Sequence, residues 1–396
     1  MKLTTTETRL LGAAALTASV MMGTPALAVP PAGCQVATPG GPTVTVPCNA
    51  SGAIPGGAPG LSSPFEVVET SFEGRVVDAD GTLISYRDPQ LTSSSIYDVA
   101  NGTTVHVPGT YRVLVDAAAE LATYTSGDEL YVLDLATGVT ANTGLPYEAV
   151  DIEYPYVLWG VRECDVSPIC NLDGDDWRNE WISGWYDVVT GQSEMIFGDG
   201  TYGEYGGGAF RAVGVDAGVV AMDAPEHQLG YDFEGDGVLD PNHRVIALHD
   251  IPTGSVVQTT IPTGWLGLFD ADDGLLVHSG VLHPNGTPEL QIYDTVTQTS
   301  THVAGPPPTV PDLEDGTLAW AWWSRQNPND PVTWGIRVYD VATGATVESP
   351  DTGASGVEVA NRDLIAFTLR EAYERRDING DGDLRDEFVA YLNRLP

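Results

Sequence analysis

Residues 131–138 read Tyr-Val-Leu-Asp-Leu-Ala-Thr-Gly, and this stretch decides the fold of the chain. An apolar run, an Asp and, in most copies, a Thr-Gly pair recur six times at intervals of tens of residues. Such a period predicts a repeat architecture, in which each copy is one structural unit packed on its neighbours. The copies are centred on Asp98, Asp134, Asp187, Asp250, Asp294 and Asp340, and the fifth has Gln298 in place of Gly.

Four strand-length segments make up each repeat. The first ends near an acidic residue, as at Asp78, Asp116 and Asp216, and the second is strongly apolar. The third is the repeated phrase. The fourth follows its turn, where Asp can bind its own backbone and Gly accepts a positive φ. Four-stranded units with apolar inner strands are the blades of a β-propeller. We therefore predict an all-β propeller, with a β-sandwich or a solenoid as the alternative.

The two ends of the propeller segment together predict a seventh blade. Residues 388–393 occupy a third-strand position, but the sequence stops at Pro396 before a fourth strand. Residues 65–69 precede Asp78 as closely as the fourth strand of the next repeat precedes Asp116. A strand from residues 65–69 is therefore predicted to complete the last blade, which removes exposed sheet edges. The prediction is a seven-bladed β-propeller closed by an N-terminal strand in the last blade, with six blades as the alternative.

The N-terminal residues have the pattern of an export signal. Lys2 and Arg9 flank a short apolar stretch, and residues 26–28 form an A-x-A cleavage site. We expect residues 1–28 to be a signal peptide, residues 29–62 to form a Pro/Gly-rich tether and residues 63–396 to form the propeller. The expected location is secreted or at the cell surface. Lipidation of Cys34 is the alternative, and Pro31 disfavours it.

Four cysteines beyond the cleavage site indicate an oxidising compartment. Pairing by proximity predicts the disulfides Cys34–Cys48 and Cys164–Cys170, although four cysteines allow three connectivities. Neither pair has the additional Cys or His ligands that a zinc site needs.

The formal net charge of −38 limits the classes of partner that this protein is expected to bind. Such a surface repels nucleic acid and anionic membranes and attracts cations. Adaptation to high salt or to a calcium-rich exterior is one interpretation, and genome-driven amino-acid usage is the other. We expect a monomer without a nucleic-acid partner or a membrane span, which binds a protein or glycan ligand.

Three repeats carry acidic insertions that resemble calcium-binding loops. Ca²⁺ takes about six to eight oxygen ligands, and alternating side-chain oxygens, a Gly, a backbone carbonyl and a later acid supply them. Gly382 and Gly237 stand at the turn position of two loops, and Asp176 replaces the Gly in the third. The predicted calcium ligands are Asp377, Asn379, Asp381, Asp383 and Asp386; Asp232, Glu234, Asp236, Val238 and Asp240; and Asn171, Asp173, Asp175, Trp177 and Glu180.

The three acidic loops share a position within their repeats. Each begins 16 to 18 residues before the third-strand position of its repeat. All three are therefore predicted to lie between the second and third strands, on one face of the disc. A calcium ion (Ca2+) there is expected to order the loop structurally rather than to take part in chemistry. The alternative is an Asp/Gly-rich turn that binds no ion.

The Tyr-Asp-x-x-Thr-Gly phrase of residues 339–344 and the Asp-Ile-Asn-Gly-Asp-Gly-Asp loop of residues 377–383 identify a family resemblance. Together they resemble bacterial TolB-like (WD40-like) β-propeller proteins from about residue 63 to the end of the sequence. The resemblance implies the propeller fold and exported binding or scaffolding roles. It brings no shared catalytic residues.

Motifs of several enzyme classes are missing from the sequence. It contains no Gly-x-Ser-x-Gly elbow and no His-Glu-x-x-His zinc motif. Two hypotheses remain. The favoured one is an exported binding or scaffold propeller with calcium on one face. The alternative is a secreted hydrolase or lyase that acts on polysaccharide with carboxylates at the channel mouth, because the separation of paired acids cannot be read from a sequence.

Overall fold

The structure is a computed structural model of the full chain. It describes residues 34–36, 44–46, 65–89, 93–108, 112–127, 129–162, 181–196, 211–225, 237–238, 244–263, 268–279, 290–303, 310–324, 333–349, 352–374 and 376–394. The predicted disulfide partners Cys48, Cys164 and Cys170 lie outside these residues, as does nearly all of the predicted signal peptide and tether.

The chain divides into two compact units, Met1–Cys48 and Asn49–Pro396. The first contains a two-stranded antiparallel ladder between Cys34–Val36 and Val44–Val46, with Cys34 opposite Val46. The second contains every other described strand, arranged as seven four-stranded antiparallel sheets.

Each sheet is one blade, and we number the blades 1 to 7 from the blade that begins at Arg75. The inner strands are Arg75–Asp80, Val113–Asp116, Glu148–Glu153, Arg211–Asp216, Leu268–Asp272, Asp312–Glu314 and Ala354–Asn361. The second strands are Leu83–Arg87, Leu121–Ser126, Tyr156–Arg162, Val219–Pro225, Leu275–Ser279, Thr317–Ser324 and Leu364–Arg370.

The repeated phrase forms the third strand of blades 1 to 6, as predicted. The third strands are Ser93–Asp98, Glu129–Asp134, Trp181–Asp187, Arg244–Asp250, Leu290–Asp294, Thr333–Asp340 and Glu387–Arg394. The outer strands are Thr103–Pro108, Thr140–Asn142, Ser193–Met195, Ser255–Thr263, Thr299–Val303, Ala345–Glu348 and, in blade 7, Phe65–Glu73. The short helix Glu371–Glu374 follows the second strand of blade 7.

The N-terminal strand closes the ring in blade 7, which confirms the predicted closure. Phe65–Glu73 pairs antiparallel with Glu387–Arg394, and Val67 lies opposite Leu392. The strand that precedes the first blade thus provides the outer edge of the last one. The prediction of a seven-bladed all-β propeller is confirmed.

The hydrophobic core lies between neighbouring blades. One cluster joins Ala319 and Ile336 of blade 6 to Phe367 and Leu392 of blade 7, all of them fully buried. Because each blade buries one face against the next, the apolar second strands end up covered on both sides. The inner strand, which contains the first residues of each blade, therefore lies next to the central axis.

Candidate functional site

The inner strands bring two rows of acidic side chains to the central channel. Because successive residues of a strand point to opposite sides, acids at positions i and i+2 face the same way. The first row comprises Asp78, Asp151, Asp270, Asp312 and Glu358, and the second comprises Asp80, Asp116, Glu153, Asp216, Asp272 and Glu314.

The channel holds two adjoining cavities. One, of about 630 Å³, is lined by the whole second row, and the other, of about 480 Å³, is lined by the first row. Asp78, Asp151, Asp270 and Asp312 line both cavities and so form the wall that they share. The volume suits a ligand of small-molecule size or one extended side chain.

Most of these carboxylates also join one blade to the next. Asp78 accepts a hydrogen bond from the Val115 amide at 2.7 Å, and Asp151 accepts one from Val215 at 2.8 Å. In the second row, Asp116 accepts from the Tyr154 amide at 2.8 Å. Equivalent bonds run from the amides of Ala117 to Asp80, Ala217 to Glu153, Gly274 to Asp216, Leu313 to Asp270 and Val359 to Asp312. Asp and Glu at these positions therefore have a role in the fold in addition to any role in binding.

Burial in the channel, together with neighbouring carboxylates, raises the pKa values of several of these acids. Burial raises the pKa of Asp78 to about 7, and burial with the Asp216 carboxylate raises that of Glu153 to about 7. Burial raises the pKa of Glu358 to about 8 and, with Asp272 beside it, that of Glu314 to about 10. Some of the channel carboxylates are therefore protonated near neutral pH.

Four other channel carboxylates also have raised pKa values. Burial raises the pKa of Asp80 to about 6 and that of Asp272 to about 7. The pKa values of Asp270 and Asp312 are raised well above the usual range, first by burial and then by the Asp312 and Glu358 carboxylates respectively. A positively charged group that enters the channel would favour the ionised forms and displace these protons.

The two ends of the channel differ in their other side chains. Tyr154 borders the larger cavity and is 55% exposed. Arg112 borders the smaller one and is the one basic side chain among the described residues that line either cavity. Its charge lowers the pKa values of Asp78, Asp151 and Glu358 but does not outweigh burial. The larger cavity is thus an acidic mouth with an accessible aromatic ring.

Of the three predicted calcium loops, the structure describes one. Residues 171–180 lie outside the described residues, as do Asp232, Glu234, Asp236 and Asp240. In the second loop only Gly237 and Val238 are described, and Gly237 has a φ of 82°. The calcium ligands predicted in these two loops stay predictions.

The described loop, residues 377–386, is folded around its own aspartates. Asp377 accepts hydrogen bonds from the amides of Gly380 at 2.5 Å and Gly382 at 2.8 Å. The Asn379 side-chain amide donates to Asp386 at 2.8 Å. Gly382 has a φ of 95°, which a side chain rarely adopts, so the Gly at the sixth position has the conformational role assigned to it.

This loop contributes to an acidic cluster that could hold a metal ion. Carboxylate oxygens of Glu371, Asp383 and Asp386 all lie within 4.8 Å of one another. Asp383 and Asp386 were predicted as ligands, whereas Glu371 comes from the short helix before the loop. Asp377 and Asp381 are not members of this cluster.

The sequence contained a signal for the channel that the prediction did not use. Acids two residues apart end four of the inner strands, as Asp78-Ala79-Asp80, Asp151-Ile152-Glu153, Asp270-Ala271-Asp272 and Asp312-Leu313-Glu314. Two acids on one face of a strand are unusual unless that face meets solvent or a ligand. Glu371 had no comparable signal, because it lies six residues before the loop.

The chain is similar in fold to solved structures of low sequence identity. An oligogalacturonate lyase in complex with manganese is 13% identical and has a TM-score of 0.50, covering 85% of this chain and 97% of that one. The acylaminoacyl peptidase of Pyrococcus horikoshii is 11% identical with a TM-score of 0.54, covering 84% of this chain and 54% of that one. The shared feature is the β-propeller fold.

A third comparison concerns the ring closure. The β-propeller domain of the Trilobed protease from Pyrococcus furiosus is 11% identical, with a TM-score of 0.50, and covers 80% of this chain and 95% of that one. That domain has an open velcro topology, whereas the ring here is closed by Phe65–Glu73. No family model and no curated protein sequence matches the chain.

None of the helices in the described part of the chain is long and apolar enough to cross a membrane.

Proposed function

We propose that this protein is an exported β-propeller that binds a positively charged organic ligand at the acidic mouth of its channel. The convergence of the second acidic row on the larger cavity carries the proposal. The exposed ring of Tyr154 at the same mouth adds a surface on which an ammonium or guanidinium group can stack.

The charge distribution favours a cation over other ligands. The net charge of −38 attracts cations over long range, and the narrow acidic channel concentrates that field. A ligand with several amino groups, such as a polyamine or a basic peptide segment, would place its charges between carboxylates of different blades. Anionic ligands would meet repulsion from both acidic rows.

A binding measurement tests the proposal. Isothermal titration calorimetry with spermine and with hexalysine should show saturable binding that weakens as salt is added. The double variant Asp272→Asn/Glu314→Gln should weaken binding by about tenfold or more, because two charge-assisted contacts are lost. Binding at pH 7 should release protons, which appear as a dependence of the heat on the buffer's ionisation enthalpy.

A matched control separates the channel from the general acidity of the surface. Glu66→Gln/Glu194→Gln replaces the same number of carboxyl groups at two exposed positions on outer strands. It should change the affinity by less than about twofold, because exposed charges beyond the Debye length are screened. Equal weakening in both double variants, or no binding by the wild type, would exclude a channel site.

We also propose that the protein is exported after removal of residues 1–28, as the sequence pattern indicates. A mature N-terminus at Val29, determined by mass spectrometry of protein recovered from the medium, is the expected result. Recovery of an intact Met1 from the medium would contradict it.

The metal proposed for the acidic cluster of the 377–386 loop is calcium in a structural role. Carboxylate and carbonyl oxygens suit this hard cation, and the glycine at residue 382 lets the loop turn around it. Calcium should raise the melting temperature of EDTA-treated protein by several degrees, and magnesium should do so less. An unchanged melting temperature would exclude the proposal.

The alternative function is cleavage of a polysaccharide at the same mouth. The pKa values of Glu153 and Asp272, each about 7, fit general acids that are protonated near neutral pH. A neutral glycan fits better than a polyuronate, which the acidic rows would repel. Release of reducing sugar from neutral glycans by the wild type, but not by Glu153→Gln, would favour this function over simple binding.

A further inference from the structure

The short helix of blade 7 begins with a carboxylate in an unusual environment. Glu371 is 0% exposed, and its Oε1 accepts a hydrogen bond from the Ile378 amide at 2.5 Å. Its Oε2 is inaccessible to solvent and has no hydrogen-bond partner among the residues that the structure describes. A buried carboxylate oxygen without a partner costs free energy, so its retention indicates a missing partner.

Two loop carboxylates lie where such a partner would bind. One oxygen from each of Glu371, Asp383 and Asp386 lies within 4.8 Å of the other two. Oxygens that bind one calcium ion at about 2.4 Å can be at most about 4.8 Å apart, and these three oxygens meet that limit. The Glu371 amide also donates to the Asp386 carbonyl at 3.2 Å, which fixes the helix start beside the end of the loop.

The same loop contacts the strand that closes the ring. The Asn379 side chain donates to Asp386 and, at 3.2 Å, to Glu73 at the end of that strand. Arg376, just before the loop, forms an ion pair with Glu69 of the strand. A ligand that immobilises Asp386 and its neighbours would therefore also immobilise the side chains of Asn379 and Arg376, which contact the closing strand Phe65–Glu73.

We infer that Glu371, Asp383 and Asp386 together hold a divalent cation of the calcium class, and that this ion fastens the closing strand of the ring. The inference rests on the calcium proposed for the 377–386 loop and changes its ligand set. Glu371, from outside the loop, replaces Asp377 and Asp381 as a direct carboxylate ligand. The ion then supports ring closure instead of ordering only a surface loop.

Two variants of equal charge distinguish the ligand sets. Glu371→Gln keeps an acceptor for the Ile378 amide but loses one anionic ligand, whereas Asp381→Asn removes one exposed charge from the same loop. In calcium titrations of the full chain followed by calorimetry, Glu371→Gln should weaken binding by about tenfold or more and Asp381→Asn by less than about threefold. The opposite order would overturn the inference and leave calcium on an EF-like loop. Absence of calcium binding by the wild type would overturn both proposals, and the channel proposal would be unaffected.

The stability of the metal-free protein provides a second readout. In EDTA, Glu371→Gln should melt at the same or a higher temperature than the wild type, because a buried charge without a partner has been removed. Calcium should then raise the melting temperature of the wild type and of Asp381→Asn but not of Glu371→Gln. A large loss of stability of Glu371→Gln in EDTA would indicate a structural role for this side chain and would overturn the inference.

Hydrogen exchange tests the link to ring closure. Calcium should slow amide exchange of residues 65–73 by about tenfold or more in the wild type, since opening of the strand becomes coupled to release of the ion. The exchange of the outer strand of blade 6, Ala345–Glu348, is the internal control and should not change. Binding of calcium without slower exchange at residues 65–73 would overturn the proposed fastening of the strand.

Discussion

At the turn after each phrase-bearing third strand, an aspartate carboxylate binds the backbone of its own turn. Asp134 accepts from the Thr137 amide at 2.8 Å, and the Gly138 amide donates to the Asp134 carbonyl at 2.8 Å. The fourth turn residue has a positive φ in every described copy. In five copies it is Gly, and in blade 5 it is Gln298, with a φ of 56°. The turn geometry therefore accounts for the recurrence of this phrase along the chain, without reference to any ligand.

This comparison gives a prediction for Gln298. The change Gln298→Gly should stabilise the protein by about 0.5 to 1 kcal/mol, because it relieves a left-handed conformation that costs a side chain about 1 kcal/mol. The reverse change at the equivalent turn, Gly344→Gln, should destabilise by a similar amount. Urea denaturation measures both. Destabilisation by Gln298→Gly would show that the Gln side chain has a compensating contact.

Among the elements, the second and third strands of two blades are matched by a Trp opposite a Gly. Trp159 pairs with Gly184 in blade 3, and Trp322 pairs with Gly335 in blade 6. A Cβ at Gly184 would lie 2.1 Å from the Trp159 ring and 2.5 Å from the Glu194 carbonyl. Because the glycine has no side chain, it leaves space for the indole of the tryptophan on the neighbouring strand.

Substitution of Gly184 should therefore be costly. Gly184→Ala is expected to destabilise the protein by about 3 kcal/mol, since the buried indole and a backbone carbonyl must both move. Gly191→Ala, in the turn of the same blade, meets nothing closer than 3.9 Å and should cost only about 1 kcal/mol, from its positive φ. Thermal and urea unfolding of both variants checks the difference. Equal costs would mean that the Trp159 ring relaxes freely.

The elements also show how far the sequence determines the structure. The apolar run and turn residues of each phrase predicted the third strands, and the spacing of residues 65–69 predicted the closing strand. The first signal is local in the sequence, and the second depends only on the spacing of residues along it. The acidic channel depends on seven inner strands meeting at one axis, so Asp270, Asp312 and Glu358 acquire their role only from the assembled ring. Glu371 likewise joins Asp383 and Asp386 only through the packing of blade 7.

For the whole molecule, two sets of carboxylates impose opposite dependences of stability on pH. Several channel carboxylates have raised pKa values, from about 6 for Asp80 to about 10 for Glu314. Between pH 4.5 and these values the folded state binds more protons than the unfolded state, so stability falls as pH rises. The turn aspartates have lowered pKa values. For Asp134 the main cause is the hydrogen bond from the Thr137 amide. For Asp187 desolvation is the largest single influence and raises the pKa, but hydrogen bonds from the Thr190 amide and hydroxyl and the Val189 amide together outweigh it. Their contribution is lost as pH falls below about 4.

The melting temperature should therefore be highest between about pH 4 and 5.5 and should fall by several degrees toward pH 8. Differential scanning calorimetry in dilute buffer, without divalent ions, measures this profile. Asp272→Asn/Glu314→Gln should flatten the decline between pH 5 and 8, because two of the titrating groups are removed. A melting temperature that rises from pH 5 to pH 8 would contradict the assigned protonation of the channel.

The closing strand has a consequence for the order in which the chain folds. The Thr70 hydroxyl donates to the Val389 carbonyl, 319 residues further along the sequence. Contacts between such distant residues form late, because the entropy of closing a long loop must be overcome first. Blades 1 to 6 consist of consecutive strands and can form as the chain emerges, whereas blade 7 needs both ends at once. Until then the Glu387–Arg394 strand presents an open edge, and a nascent chain is most exposed to misassembly and to capture by chaperones at this stage.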